Sequence, residues 1–303
     1  MNNNIPVWRS MLFIPAHRES FVLKAHTRGA DAYILDLEDS VPDLQKELAR
    51  RSLGPGIQHL VDAGATVLIR INQPLDCFPL DLEFAVVRGV SAIVVPKVNS
   101  CSELLAISSS IEALEIDRGL PAGQIRLIAQ IEDVQALPVL DEIARSTPRL
   151  AGMILGSEDF CASVGMQAST QTLFMPNQQV LFACRRAGIL PLGFPGSIAD
   201  YSDEDAFRNT IKIARKMGFV GGFCIHPSQV DVMNEEFIPS QTEVERANGI
   251  ISAYQAALKE GRGAAVYEGK MIDVPVVALA QELLKRALSA YVKETVSDVI
   301  DKK

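Results

Sequence analysis

Four carboxylates arranged in two pairs carry the clearest chemical signal in this chain. Glu132 and Asp133 close the run I-R-L-I-A-Q-I-E-D at 125–133, and Glu158 and Asp159 close L-A-G-M-I-L-G-S-E-D at 150–159. Each pair ends a continuous apolar segment, the pattern of a strand buried on both faces in a parallel sheet beneath helices. Acids at the carboxyl ends of two neighbouring parallel strands converge in space. A hard divalent cation such as Mg2+ suits that arrangement, with substrate oxygens and water completing its octahedron. The competing use is structural, since an acid at the end of a strand often caps the helix that follows. Each motif has two acids, so one can cap while the other, Glu132 or Asp159, ligates the metal.

Other residues fall at comparable places. Arg70, in V-L-I-R-I-N, follows three apolar residues, and a guanidinium there is costly to bury unpaired. It either forms a salt bridge with Glu38 or Asp39 of D-L-E-D, or holds a substrate carboxylate or a developing enolate oxygen, or does both. Glu38 and Asp39 exceed what one metal needs, which points to hydrogen bonds with metal-bound water and with Arg70. His17, Arg18 and Lys24 follow the first apolar run. They are either ordinary solvated surface or a local basic field for the phosphates of a cofactor-like substrate. Lys97 of V-P-K adds to that field or is a plain helix-start lysine. His226 is a hydrogen-bonded structural residue or a further site group. Asp273, flanked by Met271 and Ile272, would gain a raised pKa if covered, as a general acid/base should.

The elements that must position these groups recur along the chain. A helix-like segment, a Gly, one or two small residues, an apolar run and a polar stop return repeatedly, as in R-G-A-D-A-Y-I-L-D-L-E-D and M-G-F-V-G-G-F-C-I-H-P. Gly29, Gly64, Gly89 and Gly218 fall where a helix would end in the left-handed conformation. The apolar runs predict about eight strands, near 10–15, 32–37, 66–71, 92–95, 126–131, 151–155, 190–194 and 222–225. Helical periodicity covers 44–60, 101–114 and 204–217 among the intervening segments. This alternation favours an α/β TIM (β/α)8 barrel over a doubly wound sheet. The ring of polar strand ends (Glu38, Asp39, Arg70, Asn72, Lys97, Glu132, Asp159, His226) is what a barrel mouth requires. An open sheet needs only a few, at its switch point. P-A-H-R-E-S also stands where a dinucleotide fold would carry its glycine motif.

Two more helical stretches, about 241–260 and 276–295, follow the eighth strand, separated by G-R-G-A-A-V-Y-E-G-K-M-I-D-V-P. That segment reads as a Gly-rich loop, a lid or an arm reaching a neighbouring subunit. The expected division is a catalytic barrel over 1–236 and a C-terminal helical extension over 237–303.

Composition bounds the rest. The chain has 303 residues, 48% of them hydrophobic, enough for one large barrel. A net charge of −8 and a pI near 5.1 argue against nucleic-acid or anionic-membrane partners. Five scattered cysteines (Cys77, Cys101, Cys161, Cys184, Cys224) with no C-x-x-C suit reduced thiols in a cytoplasmic protein. The four histidines lack metal-ligand spacing, and zinc is not expected. M-N-N-N-I-P-V-W-R-S has neither the basic start nor the apolar core of a signal peptide. No run is long and apolar enough for a membrane span.

Taken together, the motifs resemble the citrate lyase β-subunit-like branch of the aldolase/citrate lyase superfamily, with its malyl-CoA and citramalyl-CoA lyases. The matching pieces are R-S-M-L-F-I-P at 9–15, A-D-A-Y-I-L-D-L-E-D-S-V at 30–41, R-I-N at 70–72, V-P-K at 95–97 and Q-I-E at 130–132. They continue with P-R-L-A-G-M-I-L-G-S-E-D at 148–159, C-I-H-P-S-Q-V at 224–230 and G-K-M-I-D-V-P at 269–275. The resemblance implies Mg2+ on Glu132 and Asp159, Arg70 at the substrate, and Lys24 near coenzyme A phosphates. It also implies that Asp273 is the acid/base, delivered from an adjacent subunit of a homo-oligomer, often a trimer. The expected reaction is Mg-dependent carbon–carbon cleavage of a 3-hydroxyacyl-CoA, best citramalyl-CoA to pyruvate and acetyl-CoA. The alternatives are malyl-CoA cleavage, a citrate lyase β subunit acting on a carrier-bound citryl thioester, and a pyruvate aldolase using no CoA. One departure is Pro195-Gly196, where relatives commonly carry Asp-Gly, which bears on substrate choice.

Overall fold

The computed structural model describes residues 8–73 and 78–300, with side chains described through residue 288. Cys77 lies outside the described residues. Two compact units emerge, Met1–Phe237 and Ile238–Lys303.

The first unit alternates strands and helices. Its strands are β1 (Ser10–Pro15), β2 (Ala32–Asp36), β3 (Val67–Arg70), β4 (Val90–Val95), β5 (Arg126–Ile131), β6 (Leu150–Leu155), β7 (Leu190–Leu192) and β8 (Gly222–Cys224). They form one eight-stranded sheet in the order β7-β6-β5-β4-β3-β2-β1-β8, and every pairing is parallel. The seam between the end strands is bridged by backbone bonds from Val220 to Pro191 O (3.1 Å) and from Gly193 to Gly221 O (2.8 Å). The fold is a near-closed TIM-type barrel, as the βα alternation implies.

Helices wrap the outside: α1 (Glu19–Ala25), α2 (Lys46–Asp62), α3 (Phe78–Ala85), α4 (Cys101–Asp117), α5 (Leu140–Ala144), α6 (Ser157–Val164), α7 (Thr170–Ala187), α8 (Glu204–Met217) and α9 (Pro227–Glu236). Gly29, Gly64, Gly89 and Gly218 all take positive φ between a helix and the next strand. Among the described residues no helix is long and apolar enough to cross a membrane.

Strand side chains divide by parity. One set (Leu35, Ile69, Ile93, Leu127, Ala129 among them) packs outward in a large buried cluster that includes helix residues such as Leu53, Ile107 and Val180. The other (Met11, Ala32, Ile34, Leu68, Val94, Ile128, Ile154) forms a separate cluster with Trp8 and Phe223, inside the cylinder. Following the inward set along each strand by steps of two leads to Phe13, Asp36, Arg70 and Gln130. The period of the strand thus carries an apolar interior into a polar mouth at the carboxyl ends, and Asp36 is the direct register partner of Arg70.

The second unit contains α10 (Gln241–Lys259), a hairpin of β9 (Ala265–Tyr267) and β10 (Lys270–Ile272), and α11 (Val274–Ile300). The segment expected as a Gly-rich loop is therefore a β-hairpin. Glu268 and Gly269 both take positive φ (47° and 72°), the geometry of a two-residue type I′ turn that matches the strand twist. A-V-Y and K-M-I flank the turn as short strands, and Ala265 and Ile272 pack with Ala257 of α10 and Val277 of α11.

Candidate active site

Arg70 anchors the site. Its Nε donates to Asp36 Oδ1 at 2.6 Å and its Nη2 to Asp36 Oδ2 at 2.7 Å, a bidentate fork. Nη1 lies 2.9 Å from Glu38 Oε2 and 3.5 Å from Asp39 Oδ2. The ring of Phe13 stacks against the guanidinium, 4.5 Å from its centroid. Burial opposes the Arg70 charge, but the Asp36 bonds and the three neighbouring carboxylates outweigh it and hold its pKa above the ordinary value. Asp36 is fully buried and also accepts from the backbone N–H of Glu38 and from Ser40. Burial alone would raise its pKa, yet those bonds, Arg70's above all, bring it below the usual carboxylate range. The salt-bridge reading of Arg70 is therefore realised, with Asp36 as the main partner.

Glu132 follows β5, and its two oxygens are held separately. Oε2 accepts the backbone N–H of Lys97 at 2.7 Å, and Oε1 accepts from Gln130 Nε2 at 2.8 Å. Its neighbour Asp133 turns the other way and caps the 3-10 turn at Val134–Val139, accepting from Gln135 N at 2.9 Å. One acid of the pair caps, which leaves the other at the barrel mouth. Glu132 is 4% exposed. Burial, and then the charges of Asp159 and Glu38, push its pKa up to about 7 against the pull of the Lys97 N–H.

Asp159 stands in the first turn of α6 rather than on β6 itself, two residues beyond the start of that helix. Glu158 accepts from Ser197 Oγ at 2.6 Å. Lys97 ties the two halves together. Its Nζ is 2.6 Å from Glu38 Oε1, 3.5 Å from Asp39 Oδ1 and 3.7 Å from Asp159 Oδ1. Burial raises the Glu38 pKa, while Arg70 and Lys97 partly restrain it.

Glu132, Asp159, Asp36, Asp39 and Arg70 all line one cavity of about 360 Å3. Its remaining wall is largely apolar, with Phe13, Ile154, Phe194, Ile198, Phe223 and Ile225. Five carboxylates (Asp36, Glu38, Asp39, Glu132, Asp159) face two cations (Arg70, Lys97), so the cluster carries excess negative charge. An excess of that sign would favour a bound divalent cation over a bare cluster. Among the described residues no three His, Cys, Asp or Glu side chains converge to ligate a metal by themselves. Two oxygen ligands from the protein, with the rest left to water and substrate, would be the arrangement open to a cation here, a habit of Mg2+. Two observations support the fit: Gln130 Oε1 is buried beside Glu132 with no hydrogen-bond partner, and the bare Gly156 leaves room for the Glu132 carboxylate.

The structure therefore gathers Arg70, Glu38, Asp39, Lys97, Glu132 and Asp159. It does not bring Arg18 and Lys24 into that cluster. Arg18 precedes α1 with its guanidinium 5.6 Å from the Phe21 ring centroid, and Lys24 is exposed in the last turn of α1. His17 is partly buried after β1. His226 caps α9 through Ser228 N, with Nδ1 2.7 Å from Ser228 Oγ, and stacks on Tyr201 at 4.6 Å. In the second unit, Asp273 stands just before α11 and accepts from Val276 N at 3.4 Å.

Asp36 and Gln130 are the site residues that sequence reasoning missed. The alternation Ala32-Ile34-Asp36 and Ile128-Gln130-Glu132 was the signal for both.

A parallel eight-stranded barrel with acids and a buried arginine at the carboxyl ends of its strands defines the class. The family model described as HpcH/HpaI aldolase/citrate lyase matches residues 9–227, and the chain belongs to that family. It is 32% identical over 289 residues to the citrate lyase subunit beta of Escherichia coli (strain K12), covering 94% of this chain and 95% of that protein. It is equally 32% identical, over 302 residues, to an L-malyl-CoA/beta-methylmalyl-CoA lyase of Cereibacter sphaeroides, covering 92% and 94%. Among solved structures it resembles the protein CitE from Mycobacterium tuberculosis in complex with magnesium, acetoacetate and coenzyme A. The TM-score is 0.75 at 26% identity, over 94% of this chain and 98% of that one.

Proposed function

We propose that this protein is a Mg2+-dependent carbon–carbon lyase that cleaves a 3-hydroxyacyl-CoA thioester, with citramalyl-CoA as substrate and pyruvate and acetyl-CoA as products. The observation that carries the reading is the joint presence of Glu132, Asp159 and the carboxylate-fixed Arg70 in one barrel-mouth cavity. Relatives named as citrate lyase β subunit and malyl-CoA lyase, and a neighbour bound to magnesium and coenzyme A, support it.

In this reading Glu132 and Asp159 hold Mg2+, which when bound supplies Lewis-acid polarisation of the substrate's carboxylate and hydroxyl oxygens. The hydroxyl gives up its proton to solvent, and the bond between the carbinol carbon and the α-carbon of the thioester breaks. The carbinol carbon becomes the ketone of a 2-oxo acid, and the electron pair passes to the α-carbon and its thioester carbonyl. Arg70, immobilised by Asp36 and Glu38, meets the negative charge that develops on oxygen without reorganising. Asp273 then protonates the α-carbon, and in reverse takes a methyl proton from acetyl-CoA. We assign Asp273 to the site of a neighbouring copy in a homo-oligomer, a trimer by preference. Lys24 and Arg18, exposed on and before α1, are assigned to the phosphates of coenzyme A outside the cavity. The protein acts in the cytoplasm.

The cavity wall supports this choice of substrate. A methyl on the carbinol carbon finds apolar neighbours in Phe13, Ile154, Phe194 and Phe223. The carboxymethyl group of a citryl thioester would need another cation there, and Arg70 is the cation lining the cavity among the described residues. The E. coli relative keeps a second reading in view, a lyase subunit acting on a carrier-bound citryl thioester. Incubating the purified chain with citramalyl-, malyl- and citryl-CoA plus Mg2+, and measuring acetyl-CoA, decides among them. Cleavage of free citramalyl-CoA above the other two is the expected result. Absence of cleavage of any free CoA thioester would overturn the assignment and favour the carrier-bound or CoA-independent chemistry.

A further inference from the structure

Lys97 is the member of the acid cluster whose geometry is least explained by capping or packing. Its φ is 52°, one of only two positive values at non-glycine residues among those described. A left-handed backbone at such a residue costs energy and persists where its surroundings over-determine it. Here the surroundings are carboxylates. The backbone N–H is bonded to Glu132, and the ammonium reaches Glu38 and Asp39, just after β2, and Asp159 of α6. Arg70 is already committed to Asp36 by its fork. Arg70 Nη1 also reaches Glu38 and Asp39, whereas among the described ion pairs Lys97 is the cation that reaches Asp159.

We propose that Lys97 is a built-in counter-ion that shares Asp159 with the divalent cation and so sets how tightly that cation is held. The inference rests on Glu132 and Asp159 being the cation's ligands, and it adds a role that the ligands alone do not have. An ammonium 3.7 Å from a ligand oxygen repels an arriving cation and neutralises part of the charge that attracts it. It also keeps four mutually repelling acids in place when no cation is bound. The two duties have opposite signs on removal, which makes the role separable from that of a structural clamp. Loss of a clamp weakens cation binding; loss of a competing charge strengthens it. The backbone N–H that orients Glu132 survives any side-chain replacement.

The test is Mn2+ binding to the full-length protein, followed by electron paramagnetic resonance and calorimetry at fixed pH and ionic strength. Lys97→Met removes the charge and keeps the stem. Lys97→Gly removes the charge and accepts the left-handed backbone without strain, so it covers the case in which the methionine variant folds poorly. Lys97→Arg keeps the charge. Both neutral variants should bind Mn2+ about tenfold or more tightly than wild type, and the arginine variant should stay near wild type. Without metal, the neutral variants should melt earlier, and the gain in Tm on adding Mn2+ should be larger than in wild type. Equal or weaker Mn2+ binding by both neutral variants overturns the proposal. A Glu132→Gln control reads the underlying ligand assignment separately: if it leaves Mn2+ binding unchanged, the cation site itself is misplaced and the role of Lys97 falls with it.

Discussion

The Cα of Gly156 lies so close to the Glu132 carboxylate that a methyl group built there would meet Glu132 Oε1 at 2.5 Å. The glycine between β6 and α6 thus shapes the space into which the acid of the neighbouring strand projects. Gly156→Ala should push the Glu132 side chain off its Lys97 and Gln130 donors while the barrel stays folded. We expect Mg2+ affinity to fall about tenfold or more, in the range seen when groups supporting a metal ligand are altered, with turnover falling alongside. Calorimetric Mg2+ titration and circular dichroism of the variant check both halves. Unchanged affinity would show that Glu132 does not need this position.

Arg70 and Asp36 are both buried, and each is the other's principal partner. Removing one partner leaves a buried charge with fewer bonds. Asp36→Leu should therefore cost about 3 kcal/mol or more in stability, visible as a lower urea midpoint. Arg70→Lys keeps a charge but loses the planar fork. Its effect should fall mainly on kcat, by about 100-fold or more if the guanidinium meets developing charge on oxygen. Wild-type kcat in the Arg70→Lys enzyme would remove Arg70 from the chemistry.

The barrel was legible because buried parallel strands write themselves as apolar runs, and all eight observed strands overlap runs visible in the sequence. The site was legible in its residue types and less so in its pairings. Glu38 and Asp39 drew attention as Arg70's partners, whereas the register of β2 against β3 sets Asp36 opposite it. Parity along the strand held that information, but it becomes decisive only once the inward face is known. Lys97 looked like a rim or helix-start lysine, because nothing in V-P-K announces the left-handed turn that returns its ammonium to the acids. The hairpin at Ala265–Ile272 was hidden by its own turn residues, since Glu-Gly between short mixed segments reads equally as loop. For Asp36 and Lys97 the missing information was a long-range pairing; for the hairpin it was a local one.

A second buried ion pair, away from the site, makes a pH prediction. Glu115 of α4 accepts from Arg149 at 2.6 and 3.0 Å and from the backbone N–H groups of Gly123 and Ile125 at 2.8 and 2.9 Å. Burial alone would raise its pKa, but these donors outweigh burial and bring it below the ordinary 4.5. A carboxylate with a depressed folded-state pKa stabilises the fold fully above its unfolded pKa, and that contribution is lost as pH falls through the folded value. Glu115→Gln should therefore be less stable than wild type at pH 7, with the gap narrowing below about pH 4.5. Urea midpoints measured across pH 3–7 test this. A gap independent of pH would mean that shape, not charge, holds the pair.

Asp273 offers the sharpest test of how the second unit takes part. It stands between β10 and α11, flanked by the exposed side chains of Met271 and Val274. Asp273→Asn should leave the circular dichroism spectrum and melting temperature near wild type and lower kcat by about 100-fold or more, the usual worth of a positioned acid/base. If that acid serves the barrel of a neighbouring copy, then Asp273→Asn and Glu132→Gln chains, each nearly inactive alone, should regain activity when dissociated and reassembled together. Some mixed sites then combine an intact Glu132 from one chain with an intact Asp273 from another. No recovery, with mixed oligomers confirmed by mass, would place the acid and the metal ligands of one site on the same chain.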